Sequence, residues 1–339
     1  VTSTPLDFRS DTVTRPDRRM RAAMAEAEVD DNVIGIDPTI ARLEERAAET
    51  LGMPAALWTP SGTMANLIAL SVHLQRGDRF LATRGAHVLT NELGSAAWLA
   101  GGMPDILEHD AGPGRPTPDL LRASIGNPGP YFTLRTTLLC LENTHNAAGG
   151  AVTPPEEHAQ LVAVAKEAGL NVHLDGARIW HASVALGVPP AALTVGVDSV
   201  SACFSKGLGA PVGSVVAGSV EFVERARRMR QMLGGGVRQG GVLAAACLVA
   251  LDNVGELAET HEHARRLAAG LAEHGWGVAT PDTNIVLAEV PDLAVALEWL
   301  GSLGIQALPM AGKVRFVLHR DLEPTAVEDA LQRIKAASR

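Results

Sequence analysis

Between residues 55 and 220 the chain alternates apolar runs of strand length with runs of helix length. Strands are expected over 55–59, 79–83, 106–109, 137–142, 171–174, 199–204 and 214–217, and helices over 62–74, 88–100, 118–125 and 154–168. That order leaves few architectures. A strand followed by a helix crosses over to a parallel neighbour, so the helices come to cover both faces of one mostly parallel sheet. Helix starts are marked in the chain itself. Pro154, Pro155, Glu156 and Glu157 open the run over 154–168; proline suits a first turn, and acids suit the positive end of a helix dipole.

Past residue 220 the pattern turns helical for some fifty residues. A different unit then follows: a strand over 285–289, a helix over 293–303, strands over 305–308 and 313–318, and a helix over 324–337. The expected organisation is an arm with two helices over 1–50 packing on the large domain, a large α/β domain over 51–250, and a small C-terminal α+β domain over 251–339. A chain of 339 residues buries enough surface to need no staple. Its three cysteines, Cys140, Cys203 and Cys247, show neither disulfide pairing nor zinc spacing, so no metal site and a reducing, cytoplasmic setting are expected. Residues 1–11 lack the apolar core of a signal peptide, and no run reaches membrane-spanning length. A net charge of −9 is the wrong sign for a nucleic-acid phosphate backbone.

Chemistry concentrates where the strands end. The apolar run Val172–Leu174 leads into Asp175, Gly176, Ala177 and Arg178. Ligands of open parallel sheets sit at such carboxyl ends, although an aspartate there can also cap a helix. The next strand ends at Lys206, with apolar residues upstream and no adjacent acid. It is either a surface lysine or a desolvated amine able to attack a carbonyl. A lysine and an acid at neighbouring strand ends are what pyridoxal 5'-phosphate requires, one for its aldehyde and one for its ring nitrogen. Two segments offer a phosphate cradle: Ser61-Gly62-Thr63 at a helix start, and Gly234-Gly235-Gly236-Val237-Arg238. Each also reads as an ordinary cap or connector. No GxSxG or HExxH occurs, and the best GxGxxG match, Gly207-Leu208-Gly209, has its next glycine one place late. His261 and His263 flank Glu262 in a charged run that reads as a solvated helix face.

Seven segments, in order along nearly the whole chain, resemble the threonine aldolases, a branch of the fold-type-I pyridoxal-phosphate enzymes. They are Phe8–Pro16, Asp37-Pro38-Thr39, Ser61–Asn66, Leu141–Asn146, Asp175–Arg178, Ser205–Gly213 and Gly234–Gln239. The resemblance implies an aspartate-aminotransferase-like large domain and a small C-terminal domain. It implies that Lys206 binds the cofactor aldehyde, Asp175 pairs with the pyridine nitrogen, His87 stacks on the ring and supports proton transfer, and Gly62 and Thr63 bind phosphate. Arg238 would reach the phosphate of a neighbouring subunit, having no obvious anion partner of its own. Ser10, Arg178 and Arg315 would hold the substrate carboxylate, and Glu92 matches a glutamate that follows the histidine. The implied activity is cleavage of L-threonine, L-allo-threonine and related 3-hydroxy-2-amino acids to glycine and an aldehyde, by a homotetramer (a dimer of dimers) with sites at a subunit interface. Another β-eliminating lyase, or a silent cofactor-binding regulator, would use many of the same residues. The chain departs from the family pattern at Ile34, where a tyrosine is usual, at Asn91, where an aromatic is frequent, and over Tyr131-Phe132-Thr133, where a second histidine is frequent. These changes leave the aldehyde side of the expected site less polar.

Overall fold

The computed structural model describes residues 5–127 and 129–337. The outermost parts of the expected arm and small domain, Val1–Thr4 and Ser338–Arg339, lie outside the described residues, as does Pro128. A seven-stranded sheet organises the large unit, in the order Ala55–Thr59, Ser214–Gly218, Ser199–Cys203, Asn171–Gly176, Thr136–Glu142, Arg79–Thr83, Met103–Leu107. Only Ser214–Gly218 runs antiparallel to its neighbours. The central strands are buried along almost their full length, because helices cover both faces. Leu139, Leu174, Val200 and Trp180 belong to the core this creates.

A second core lies in the C-terminal unit, where Leu267, Val286, Leu300, Phe316 and Ile334 pack together. Its antiparallel sheet runs Leu308–Met310, Lys313–Val317, Ile285–Glu289, Gly277–Val278. The arm divides between the two units. Helix Arg18–Ala25 packs on Gly241–Asp252 of the large unit. Leu6–Asp7, however, pairs in parallel with Ile305–Gln306 of the small one, and Phe8 enters the small core. The expectation that residues 1–50 pack on the large domain therefore needs correction at its N-terminal end: Leu6–Asp7 forms a separate two-stranded ladder with Ile305–Gln306, and Phe8 beside it is buried in the small core.

Three further expectations differ from the structure. The helix expected over 88–100 is two single turns, His87–Thr90 and Ser95–Trp98. They are separated by Leu93 at φ 54° and Gly94 at φ 72°, left-handed conformations that no helix accommodates. The break turns Glu92 inward, 3% exposed. The strand expected over 106–109 lies at Met103–Leu107 and includes Pro104, which an edge strand tolerates. His261 is not on a solvated face: it is buried against His181. Among the described residues, no single helix is long and apolar enough to cross a membrane.

Candidate active site

The carboxyl ends of the parallel strands assemble one network. Asp175, near the end of Asn171–Gly176, is buried and accepts the Ala177 backbone N–H at 3.0 Å and the Asn66 amide at 2.8 Å. The same Asn66 nitrogen donates to Glu92 Oε1 at 2.8 Å, and that oxygen lies 2.8 Å from His87 Nδ1. Ligand atoms of His87, Glu92 and Asp175 all fall within 4.8 Å of one another. Below them, Asn66 Oδ1 accepts from Ser201 Oγ at 2.7 Å and meets His173 Nε2 at 3.1 Å.

Charge decides the protonation states. Burial would raise the pKa of Asp175, but the His87, Lys206 and His173 charges outweigh it and keep the group below the usual carboxylate range. Burial would lower the pKa of His87, yet the Glu92 hydrogen bond and the Asp175 charge leave it raised. Glu142 ends the next strand. Burial and the Asp175 charge push it up to about 7. Its two oxygens accept the backbone N–H groups of His87 and Asn146, both at 2.7 Å, so one carboxyl group anchors two loops.

Lys206 follows strand Ser199–Cys203 and is half-buried. Its backbone oxygen accepts from Thr14 Oγ1 at 2.9 Å. Its amine makes no hydrogen bond or ion pair among the described residues. It acts by charge on Asp175, His87 and Asp11. The helix Gly62–His73 points its N-terminus at the end of the same strand: a Cβ on Gly62 would come 2.6 Å from Cys203 Sγ. Ser61 Oγ caps the helix by accepting the Met64 N–H. The N–H groups of Gly62 and Thr63 have no intrahelical acceptor, and Thr63 is exposed.

A second cluster gathers cations beside these groups. Arg178 Nε and Nη2 donate to the buried Asp11 at 2.7 and 2.6 Å, while its Nη1 reaches Asn146 Oδ1 at 3.1 Å. Arg315 Nη1 reaches that same Asn146 oxygen at 3.1 Å, and its Nη2 donates to the Arg9 carbonyl. Burial would raise Asp11, but the Arg178 guanidinium holds it far below the carboxylate range. Ser10 caps the turn Asp11–Val13 next to this pair. Two guanidiniums from different units thus converge on one carboxamide oxygen.

Arg238 is not brought to this cluster. Its guanidinium is exposed and pairs with Asp31 at 2.8 Å, which corrects the expectation that it lacks a local anion. Ile34 and Tyr131, two of the departures from the family pattern, are also at the surface, 85% and 100% exposed. Asn66, Glu142, Asn146 and Asp11 join the network without a role expected from the sequence. A signal existed for Asn66, an amide inside the apolar run of Gly62–His73, and for Glu142, an acid closing an apolar strand.

A family profile for β-eliminating lyases matches residues 7–292. A probable low-specificity L-threonine aldolase 2 of Arabidopsis thaliana is 43% identical over 338 residues, 96% of this chain and 95% of that protein. A low specificity L-threonine aldolase of Escherichia coli strain K12 is 42% identical over 322 residues, 94% of each chain. Among solved structures, a threonine aldolase of Leishmania major superposes with a TM-score of 0.85 at 21% identity, covering 99% of this chain and all 100% of that one. An aspartate aminotransferase of Thermus thermophilus gives 0.76 at 18% identity, covering 98% of this chain and 91% of its own. These two likenesses speak for the fold.

Proposed function

The chain belongs to the β-eliminating lyase family, beside relatives named low-specificity L-threonine aldolases, and from that premise we propose that it cleaves L-threonine, L-allo-threonine and related 3-hydroxy-2-amino acids to glycine and an aldehyde. The donor set fits pyridoxal 5'-phosphate. Asp175 is a carboxylate kept ionised under burial, able to hold a pyridinium proton. Lys206 is an amine with no competing partner among the described residues, and Gly62 and Thr63 present N–H groups to a phosphate. When bound, this cofactor supplies an electron sink for the pair left at Cα as the Cα–Cβ bond breaks.

The protein's own part is to hold the substrate and move a proton. Arg178, Arg315 and Ser10 take the substrate carboxylate; planar guanidinium forks fix its orientation and so decide which bond at Cα is aligned to break. His87 accepts the hydroxyl proton as the aldehyde forms. Glu92 holds its Nδ1, which leaves Nε2 for the substrate. Glu142 fixes the backbone at both His87 and Asn146, and so keeps the base in register with the arginines.

The observation that carries this reading is the convergence of Asp175, His87 and Lys206 beside two arginines at the end of one parallel sheet. Product analysis tests it. Glycine and acetaldehyde from threonine are expected; ammonia and a keto acid would identify a β-eliminating lyase, and no turnover a silent binder. Cleavage of phenylserine alongside threonine would support a tolerance for bulkier aldehyde parts, and a strict preference for threonine would count against it. We further propose a homotetramer, built as a dimer of dimers, in which Arg238 serves a neighbouring subunit's phosphate. The exposure of the Arg238 guanidinium and of Ile34, Ile36 and Met232 supports an interface. Three buried free thiols suit a cytoplasmic setting.

A further inference from the structure

Helix Leu257–Glu273 packs on strands Gly277–Val278 and Ile285–Glu289 of the small unit, yet it also contacts helix Ile179–Leu186 of the large one. At that contact His261 Nε2 lies 2.8 Å from His181 Nδ1. The other nitrogen of His181, Nε2, stands 4.0 Å from Asp11 Oδ2, on the carboxylate that grips Arg178. Both rings are buried, and His181 Nε2 has no hydrogen-bond partner among the described residues. The ring presses on the backbone just after Lys206: a Cβ on Gly207 would come 2.5 Å from His181 Nε2.

Electrostatics selects the tautomers. One nitrogen of the 2.8 Å contact must donate. If His181 Nδ1 donated, the lone pair on its Nε2 would face an ionised carboxylate in a dry interior. With His261 Nε2 as donor, His181 carries its proton on Nε2 and directs it at Asp11. Burial pushes His181 down to about 3 and His261 down to about 4, so both are neutral at physiological pH. The charged groups facing His181 are Asp11, Arg178 and Lys206; Arg265 faces His261.

We infer that His181 is a positioning residue for the substrate carboxylate: oriented by His261, it turns its Nε2–H dipole toward Asp11 Oδ2 at 4.0 Å without a hydrogen bond, and this biases the Asp11 carboxylate that fixes the plane of Arg178. The inference rests on the proposed role of Arg178 as carboxylate anchor. It has a structural corollary. Arg315 stands on the small sheet, and Arg178 is registered to the small unit through His261, so both halves of the clamp follow the same body.

The test compares the cofactor-loaded protein with His181→Phe, His181→Gln, His261→Leu and Arg178→Lys, reading kcat and KM for threonine and the calorimetric Kd for glycine. Glutamine places a donor nitrogen where Nε2 stands. His181→Phe is expected to raise KM and the glycine Kd about tenfold while kcat changes less than about threefold, and His181→Gln to restore most of the loss. His261→Leu, which spares the Asp11 contact and frees only the ring's orientation, raises both by about threefold and carries the test should the phenylalanine variant not fold. If His181→Phe and His261→Leu stay within about a factor of two while Arg178→Lys weakens binding, the inference is overturned and the carboxylate reading stands. A fall in kcat at unchanged KM, or equal losses in the Phe and Gln variants, marks a merely structural role and also overturns it. If Arg178→Lys leaves KM and Kd unchanged, the carboxylate reading fails and the inference fails with it.

Discussion

Asn66 shows how a single amide sets the electrostatics of the site. Its oxygen is engaged by Ser201 Oγ and His173 Nε2, so its nitrogen must face Asp175 and Glu92 and donate to both. Replacing it with alanine leaves two buried carboxyl groups one donor short. Asn66→Ala is expected to cost ~1–3 kcal/mol of stability and to weaken cofactor binding about tenfold. Denaturant unfolding of the apoprotein and a cofactor titration check this, and unchanged values in both would refute the role. His87→Asn is a separate expectation: cofactor retained, kcat down by about 10²–10⁴. Full cleavage rate in that variant would remove His87 from the proton transfer. The sequence marks Asp175 and Lys206 as candidates because Asp175 lies near the end of one apolar strand and Lys206 just beyond the end of the next. Asn66 and Asp175 lie 109 positions apart, and Arg315 and Asn146 lie 169 apart. Such pairings are made by crossovers, which local pattern does not encode. His261 misled for the same reason, since its charged neighbours Glu262 and Arg265 do face solvent while His261, on the other side of the same helix, faces His181.

At the scale of elements, the helix Gly62–His73 and the strand Ser199–Cys203 meet end to end, and the glycine is what allows it. A methyl group at position 62 would lie 2.6 Å from Cys203 Sγ, so the helix must withdraw and with it the N–H groups offered to phosphate. Gly62→Ala is expected to raise the cofactor Kd about tenfold, and the double variant Gly62→Ala, Cys203→Ala to recover most of it. Equal affinity in wild type and Gly62→Ala would show that the phosphate is held elsewhere. The alternating strands and helices were readable from period alone, because a sheet covered on both faces demands apolar runs. The break between His87 and Ala100 was not. Leu93 adopts a left-handed conformation with its side chain 99% exposed, and neither composition nor period announces it. That break brings Glu92 round to His87, which a continuous helix would not do.

At the scale of the molecule, burial of histidine governs the response to acid. His73 and His181 are pushed down to about 3, and His145, His158, His173 and His261 to about 4, by burial in every case. Unfolded, each would titrate near 6.5. The unfolded chain therefore binds more protons than the native one below that pH. Stability from these groups is fully present above 6.5 and is lost as pH falls toward 4, each withdrawing up to ~1.4 kcal/mol per pH unit. Asp11 and Asp175, both held low, add to the loss only at lower pH. Denaturation midpoints are expected to be nearly flat from pH 8 to 7 and to fall steeply by pH 5, with several protons taken up on unfolding. A flat profile to pH 5 would mean that these rings are not buried in the native state.

One chemical identity underlies all of this: the amine that holds the cofactor. The chain contains four lysines, Lys166, Lys206, Lys313 and Lys335. Lys166 pairs with Asp198 and Lys313 with Glu289 at the surface, whereas the Lys206 amine acts by charge on Asp175 and makes no hydrogen bond or ion pair among the described residues. Borohydride reduction of the cofactor-loaded protein, followed by peptide mass mapping, locates the attachment directly. We predict a single pyridoxyl adduct on Lys206; an adduct on another lysine, or none, would contradict it.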